Sequence, residues 1–343
     1  MISLSHGILR VALVLALVSG KLPAGMVDVP KSNELMQQLS KESMAMLDAK
    51  DYAGLDKKAA ELEKSQARNS SGYWLLRQFS NFLAQPGDKT DADAWKAHLA
   101  KLQAWKDKSG TAFSMSVLGE AQTGYGWSIR GTGYANTVKR EQWKQFEEIL
   151  THAQETLEEA HKKDPKEVDV YPNLLTVGMG LGWPREKMDA IMKEAIAAGP
   201  GYSDTYHCMA TALLERWGGK PGDWQRFVNS IPSLVPGDAG WELFAHVAMP
   251  MQSYAASPQD FFGNGAPDRI NWSDLKRGFE AMNKLYPDGA YNMNRMIPFC
   301  CTMQDRQMAK SLLKTLDDNK ALYPPLMNGE QGVAAVRKFV AGE

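Results

Sequence analysis

The chain has 343 residues, with 44% hydrophobic and 23% charged side chains, and its 39 Lys plus Arg nearly balance 40 Asp plus Glu. That composition excludes a disordered chain, which needs low hydrophobicity and high net charge. The near-zero balance also argues against a nucleic-acid partner, whose phosphates call for a basic surplus.

The first 20 residues read as a signal peptide. Arg10 precedes an apolar run from Val11 to Val18, and Ser19-Gly20 supplies the small-residue exit. The run is about half the roughly 20 residues that a membrane span requires. Cleavage after Gly20 is therefore expected, leaving 38 basic and 40 acidic residues. The expected location is periplasmic or secreted, without stable membrane insertion after cleavage.

From residue 31 the apolar spacing is helical. Residues 31–110 read as an N-terminal helical region. Leu35, Leu39 and Leu47 mark a first helix capped by Ser32, and Tyr52, Leu55, Ala59 and Leu62 mark its antiparallel partner after the break at Lys50-Asp51. Tyr73, Leu76, Phe79 and Leu83 give a third helix, ended by Pro86-Gly87. Trp95, Leu99, Leu102 and Trp105 give a fourth, opened by Asp91 or Asp93.

Residues 111–320 read as a helical-repeat domain. Its first stretch, Thr111 to Val138, carries five glycines yet keeps an apolar face, so we expect a helix whose glycines admit a close neighbour. The next helix, from Trp143 to Ala160, stops at Asp164-Pro165. Pro165, Pro200 and Pro236 then recur at intervals of 35 and 36 residues. Helical segments at Asn173–Leu181, Pro184–Ala198, Ser203–Trp217 and Asp223–Ser230 fill those intervals, with Pro172 and Pro184 at first-turn positions. A helix pair of about 34 residues with a terminal proline is the tetratricopeptide period. A helix over Asp238–Ser253 and a loop over Ser257–Asn271 follow. Helices around Leu275, Met296 and Leu312 come next, and residues 321–343 form a capping segment. The fold expected is all-α: a tetratricopeptide-like array of antiparallel helix pairs, an α-solenoid.

No metalloprotease, serine-hydrolase or phosphate-loop signature is present, and the six histidines lack metal-ligand spacing. Neither a metal nor a cofactor is expected. Gly178-Met179-Gly180-Leu181-Gly182 looks like a phosphate loop, but a helix precedes it where a dinucleotide site needs a strand, so it reads as a helix turn. Cys208, Cys300 and Cys301 are disulfide candidates in an oxidising compartment. The bland reading, three small buried hydrophobes, weighs more.

The most distinctive segments are Trp127-Ser128-Ile129-Arg130-Gly131-Thr132-Gly133-Tyr134 and Glu215-Arg216-Trp217-Gly218-Gly219. An arginine beside tryptophan can stack on the ring, and its fork can hold a carboxylate. Trp127, Arg130, Tyr134, Arg216 and Trp217 are therefore candidate ligand-binding residues, although Arg130 and Arg216 equally suit a structural role tying helices together.

These segments also carry a resemblance. The stretch from about Ala112 to Asp317 resembles the bacterial domain-of-unknown-function family DUF4034, whose members are helical and tetratricopeptide-like. The matching residues are Trp127, Arg130, Gly131, Gly133, Tyr134 and Ala135, then Trp143, Phe146 and Asp164-Pro165. Arg216-Trp217-Gly218-Gly219, Trp224, Asn294, Cys301 and Asp305 follow. Glu215 stands where the family has proline, so the turn enters differently here. The resemblance implies an all-α repeat fold in a bacterium and no activity.

The expected function is a non-enzymatic binding module of the cell envelope that holds a protein or peptide partner. Two alternatives stay open. One is a hydrolase using Glu120 or Asp204 as groove carboxylates. The other is a thiol-redox role for Cys300-Cys301. Trp127, Trp183 and Trp217, near glycines, are the tryptophans singled out for binding; most of the others read as spacers between helices.

Overall fold

The structure, a computed structural model, describes residues 26–263 and 266–343. The expected signal segment, residues 1–20, lies outside them. Among the described residues the fold is all-helical. It has no strand, only three isolated bridges, and no helix long and apolar enough to cross a membrane.

The helices in chain order are α1 (Val29–Asp48), α2 (Tyr52–Ser65), α3 (Leu75–Ala84), α4 (Ala92–Ser109), α5 (Ala112–Arg130), α6 (Arg140–Lys163), α7 (Val170–Leu181) and α8 (Arg185–Ala198). They continue with α9 (Ser203–Ala212), α10 (Asp223–Leu234), α11 (Asp238–Met251), α12 (Pro258–Phe261), α13 (Trp272–Leu285), α14 (Ala290–Thr302), α15 (Arg306–Asp318) and α16 (Gly329–Ala341).

Local chemistry sets the boundaries. α1 starts before Ser32, because the Asp28 carboxylate accepts from Lys31 N at 2.8 Å and so does the capping assigned to Ser32. Asp51 caps α2 through Gly54 N. Asp91, not Asp93, caps α4. In α4 His98 is buried and Leu99 only half-buried; the His98 ring Nε2 lies 2.7 Å from Leu83 O, which satisfies its polar atom inside an apolar face. The segment expected as one helix over Ser203–Trp217 breaks after Ala212. A short 3-10 turn, Glu215–Trp217, follows, and Gly218 leaves it at φ +95.

The chain separates into two compact units whose boundaries differ from those read in the sequence. One comprises residues 38–66 and 75–228. In it successive helices pack on one another: α5 on α6, α6 on α7, α7 on α8 and on α9. That is the packing of a solenoid-like helical array. Its core joins Met115 of α5, Phe146, Leu150, Ala153 and Leu157 of α6, and Leu174 and Val177 of α7. The glycines of α5 admit neighbours as expected. A Cβ on Gly119 would lie 2.5 Å from Leu157 Cγ, and one on Gly124 would lie 2.9 Å from the Trp95 ring.

Details recur across the 35-residue interval. Tyr171 OH donates to Pro165 O, and Tyr206 OH donates to Pro200 O at 2.7 Å. Thr176 Oγ1 donates to Pro172 O and Thr211 Oγ1 to His207 O, each at 2.8 Å. The tyrosine bonds anchor the start of each helix to the proline-marked bend before it, and the threonine bonds are made within the helix to its own backbone.

The second unit comprises residues 26–37, 67–74 and 229–343. Here α11 packs on α13, and α14 packs on α15 and α16. Residues 69–73 run through the unit as an ordered loop, with the Ser71 carbonyl accepting from Asn292 Nδ2 at 3.1 Å. Asn294 holds the C-terminal segment: its Nδ2 donates to Ala321 O and its Oδ1 accepts from Tyr323 N at 2.7 Å.

Candidate functional site

The first unit contains a buried charge cluster that the sequence did not single out as a whole. Arg77 of α3 donates from Nη1 to Glu120 Oε2 of α5 at 2.9 Å and to Asp169 Oδ1, which precedes α7, at 3.0 Å. Its Nε lies 3.7 Å from Asp204 Oδ1 of α9. Burial alone would lower the Arg77 pKa, but the Glu120, Asp169 and Asp204 carboxylates outweigh it and hold it well above the ordinary value. Asp169 and Asp204 are 35 residues apart, so equivalent positions of successive helix pairs supply two of the three acids.

One oxygen decides the protonation of this cluster. Ser80 Oγ lies 2.7 Å from Glu120 Oε2 and 2.6 Å from Asp169 Oδ2. A hydroxyl has one proton and can donate to only one of them. Asp169 has further donors in Arg77, Tyr202 OH at 2.7 Å and Ser116 Oγ at 3.2 Å. The arrangement in which every group is satisfied puts a proton on Glu120, which donates to Ser80, while Ser80 donates to the Asp169 carboxylate. Burial, with the nearby Asp169 charge and against Arg77, pushes the Glu120 pKa up to about 7. Glu120 and Asp204 thus do face one another across Arg77, but as parts of a closed network. Glu120 is buried and bonded to Ser80 and Arg77, whereas the Asp204 side chain is partly exposed beside Arg77.

The two distinctive sequence segments come together elsewhere in the same unit. The Arg130 guanidinium sits 5.3 Å from the Trp127 ring centroid, 5.0 Å from that of Trp143 and 5.4 Å from that of Trp217. Trp127 and Trp217 meet edge to face at 5.3 Å. Arg130 donates from Nη1 to the carbonyls of Gly131 and Gly133, so it fixes the loop after α5. Tyr134 is 84% exposed and makes none of these ring contacts. Arg216 is exposed, with its guanidinium 5.9 Å from the Trp217 ring.

Trp217 also lines a pocket of about 680 Å3. One wall is the end of α7 and start of α8: Gly178, Met179, Gly182, Trp183 and Met188. The other is the end of α9 and the following turn: Met209, Ala212, Leu213, Gly218 and Gly219. Arg185, Glu186, Lys220 and Asp223 complete the lining. The glycine run that looks like a phosphate loop is therefore the last turn of α7, with Gly182 as its left-handed cap at φ +65. Gly178 is required by packing, since a Cβ there would lie 2.5 Å from Trp183 and 2.6 Å from Met188 Sδ. Lys187 Nζ lies 3.2 Å over the Trp183 ring. The pocket mixes apolar walls with polar and charged groups, and its methionines are adaptable walls.

Cys208, Cys300 and Cys301 are free thiols in the structure. Burial pushes Cys300 up to about 12 and Cys208 up to about 11, and it raises Cys301 as well. Protonated thiols are poor nucleophiles. No cluster of His, Cys, Asp or Glu suited to a metal ion occurs among the described residues.

Of the residues distinctive in the sequence, Trp183 and Trp217 line the pocket, Trp127 and Arg130 lie beside Trp217, and Tyr134 and Arg216 are exposed. The methionines that line the pocket and the Arg77 network are not marked by any sequence motif. The available signal for the network was a run of polar residues on otherwise apolar helix faces: Arg77 and Ser80 between Leu76 and Leu83, and Ser114 and Ser116 beside Val117. Compared with known proteins, the chain matches no family model and has no significantly similar curated relative.

Proposed function

We propose that the chain is a non-enzymatic binding module of the cell envelope, and that the pocket between the ends of α7 and α9 receives an apolar side chain of a peptide or protein partner. The observation that carries this reading is the pocket itself: two tryptophans, three methionines and a leucine form its walls, with charges at its edge. Such a surface suits an apolar anchor inserted from an extended segment, because burying one large side chain contributes about 1.5–3 kcal/mol. Methionine walls adapt to more than one anchor shape. The signal-like first 20 residues support export to the periplasm or beyond, and the balanced charge disfavours nucleic acid. The 35-residue interval supports a tetratricopeptide-like stack, and the resemblance to DUF4034 fits the same reading.

A peptide array probed with purified protein tests it. Peptides with a central Phe, Leu or Met are expected to bind, and Met179→Glu, which puts a charge on a half-buried pocket wall, is expected to lower that binding at least about tenfold. Equal binding by the wild type and the M179E variant would contradict the reading.

A further inference from the structure

Arg77 and Arg130 are both buried arginines of the same unit, and they are partnered in opposite ways. Arg77 faces the carboxyl groups of Glu120, Asp169 and Asp204. Arg130 is 7% exposed and has no carboxylate within ion-pair distance among the described residues. Its Nη1 meets two carbonyls, and its Nε is buried without a hydrogen-bond partner. The indole Nε1 groups of Trp127 and Trp217, whose rings flank Arg130, are also buried without a partner. Three N–H donors on three touching side chains therefore lack an acceptor. Buried donors are nearly always satisfied, because leaving one unmade costs about 1–3 kcal/mol. Stacking on aromatic faces offsets part of the cost of the cation but provides no acceptor.

Trp217 belongs to this cluster and to the pocket wall at once. A ligand that touches Trp217 in the pocket is one ring away from the guanidinium. The two formal acids of the pocket do not compensate Arg130: Asp223 pairs with Arg226 at 2.7 Å and approaches Arg185 at 4.0 Å, and Glu186 is exposed.

We propose that the pocket takes a ligand with a single carboxylate on an apolar body, the carboxylate being received by Arg130 and by the indole N–H groups of Trp127 and Trp217. One guanidinium with two neutral donors balances one negative charge, which favours a monoanion over a phosphate dianion. The three nitrogens are covered, so reception requires the Glu215–Trp217 turn to shift, and Gly218 at its end supplies the backbone freedom. A peptide ending in an apolar residue has this chemistry. The inference rests on the pocket being a binding site and adds which ligand end it prefers.

The test compares N-acetyl-phenylalanine with its amide by NMR of the indole N–H signals in the full chain, with Trp127 and Trp217 assigned through Phe variants. The acid is expected to bind at least about tenfold tighter than the amide and to shift both signals. Arg130→Gln is expected to bring the acid down to the level of the amide. Trp127→Phe, which keeps the ring packing and removes one donor, is expected to reduce the advantage several-fold and serves if R130Q does not fold. Equal binding of acid and amide would overturn the carboxylate preference alone. An acid advantage that survives R130Q would overturn the role of Arg130, and inorganic phosphate shifting the same signals equally would overturn the ligand class. Failure of both probes to bind would instead overturn the pocket reading on which the proposal stands.

Discussion

Arg77 is the residue on which the first unit's charge balance depends. Arg77→Ala would leave the buried Asp169 carboxylate without its cation, and loss of one partner of a buried pair costs about 3–5 kcal/mol. Urea unfolding is expected to show a loss of that size. Glu120 makes a second prediction, with a defined sign. Its folded pKa of about 7 lies above the ordinary 4.5, so the folded state holds the extra proton between those values. Its contribution is fully present below about pH 4.5 and is lost as pH rises through about 7, amounting to about 3 kcal/mol. Asp305 and Asp223, lowered by hydrogen bonds that outweigh burial, act in the opposite direction as pH falls. The difference between wild type and Glu120→Gln isolates the Glu120 part: the variant is expected to lack the decline between pH 4.5 and 7. Identical curves would refute protonated Glu120. This network was hardly legible in the sequence, because its members come from four helices and each alone looks like an isolated polar residue. Trp127, Arg130 and Trp217 were legible, because arginine and glycine next to tryptophan is a local pattern that survives without knowledge of tertiary structure.

At the scale of elements, the packing of α5 on α6 depends on Gly119. Alanine there gains helix propensity, worth about 1 kcal/mol. Its methyl group, however, would sit 2.5 Å from the branch carbon of fully buried Leu157, and overpacking costs about 1–3 kcal/mol. Gly119→Ala is expected to lower stability in thermal unfolding despite its better propensity, whereas an increase would show that α6 can move away. Gly219 presents a sharper case in the pocket turn. A Cβ would approach Leu213 O to 1.9 Å, a backbone contact that cannot swing aside, so Gly219→Ala is expected to weaken peptide binding by displacing the turn that carries Trp217. Helix positions were legible from apolar spacing and from caps such as Asp51 and Asp91. Ends were less so. Asp28 took the cap assigned to Ser32, and α9 stopped at Ala212 because the Leu213–Gly219 stretch forms its own turn. The break had a signal in Gly218-Gly219, masked by the apolar spacing of Leu213, Leu214 and Trp217.

For the whole molecule, the all-helical class followed from helical spacing along nearly the whole chain. The division into two units did not, because residues 67–74 and 26–37 join the C-terminal helices across a long sequence separation that no periodicity encodes. Mass spectrometry of the protein from a bacterial envelope fraction is expected to find Lys21 as the first residue. Recovery of the intact chain with Met1 would remove the support for export by cleavage. The pocket between the ends of α7 and α9 is the proposed seat of the partner. Hydrogen exchange with and without a bound array peptide tests it most directly. Added protection confined to Met179–Met188 and Met209–Asp223 is predicted, and protection elsewhere with these segments unchanged would contradict it.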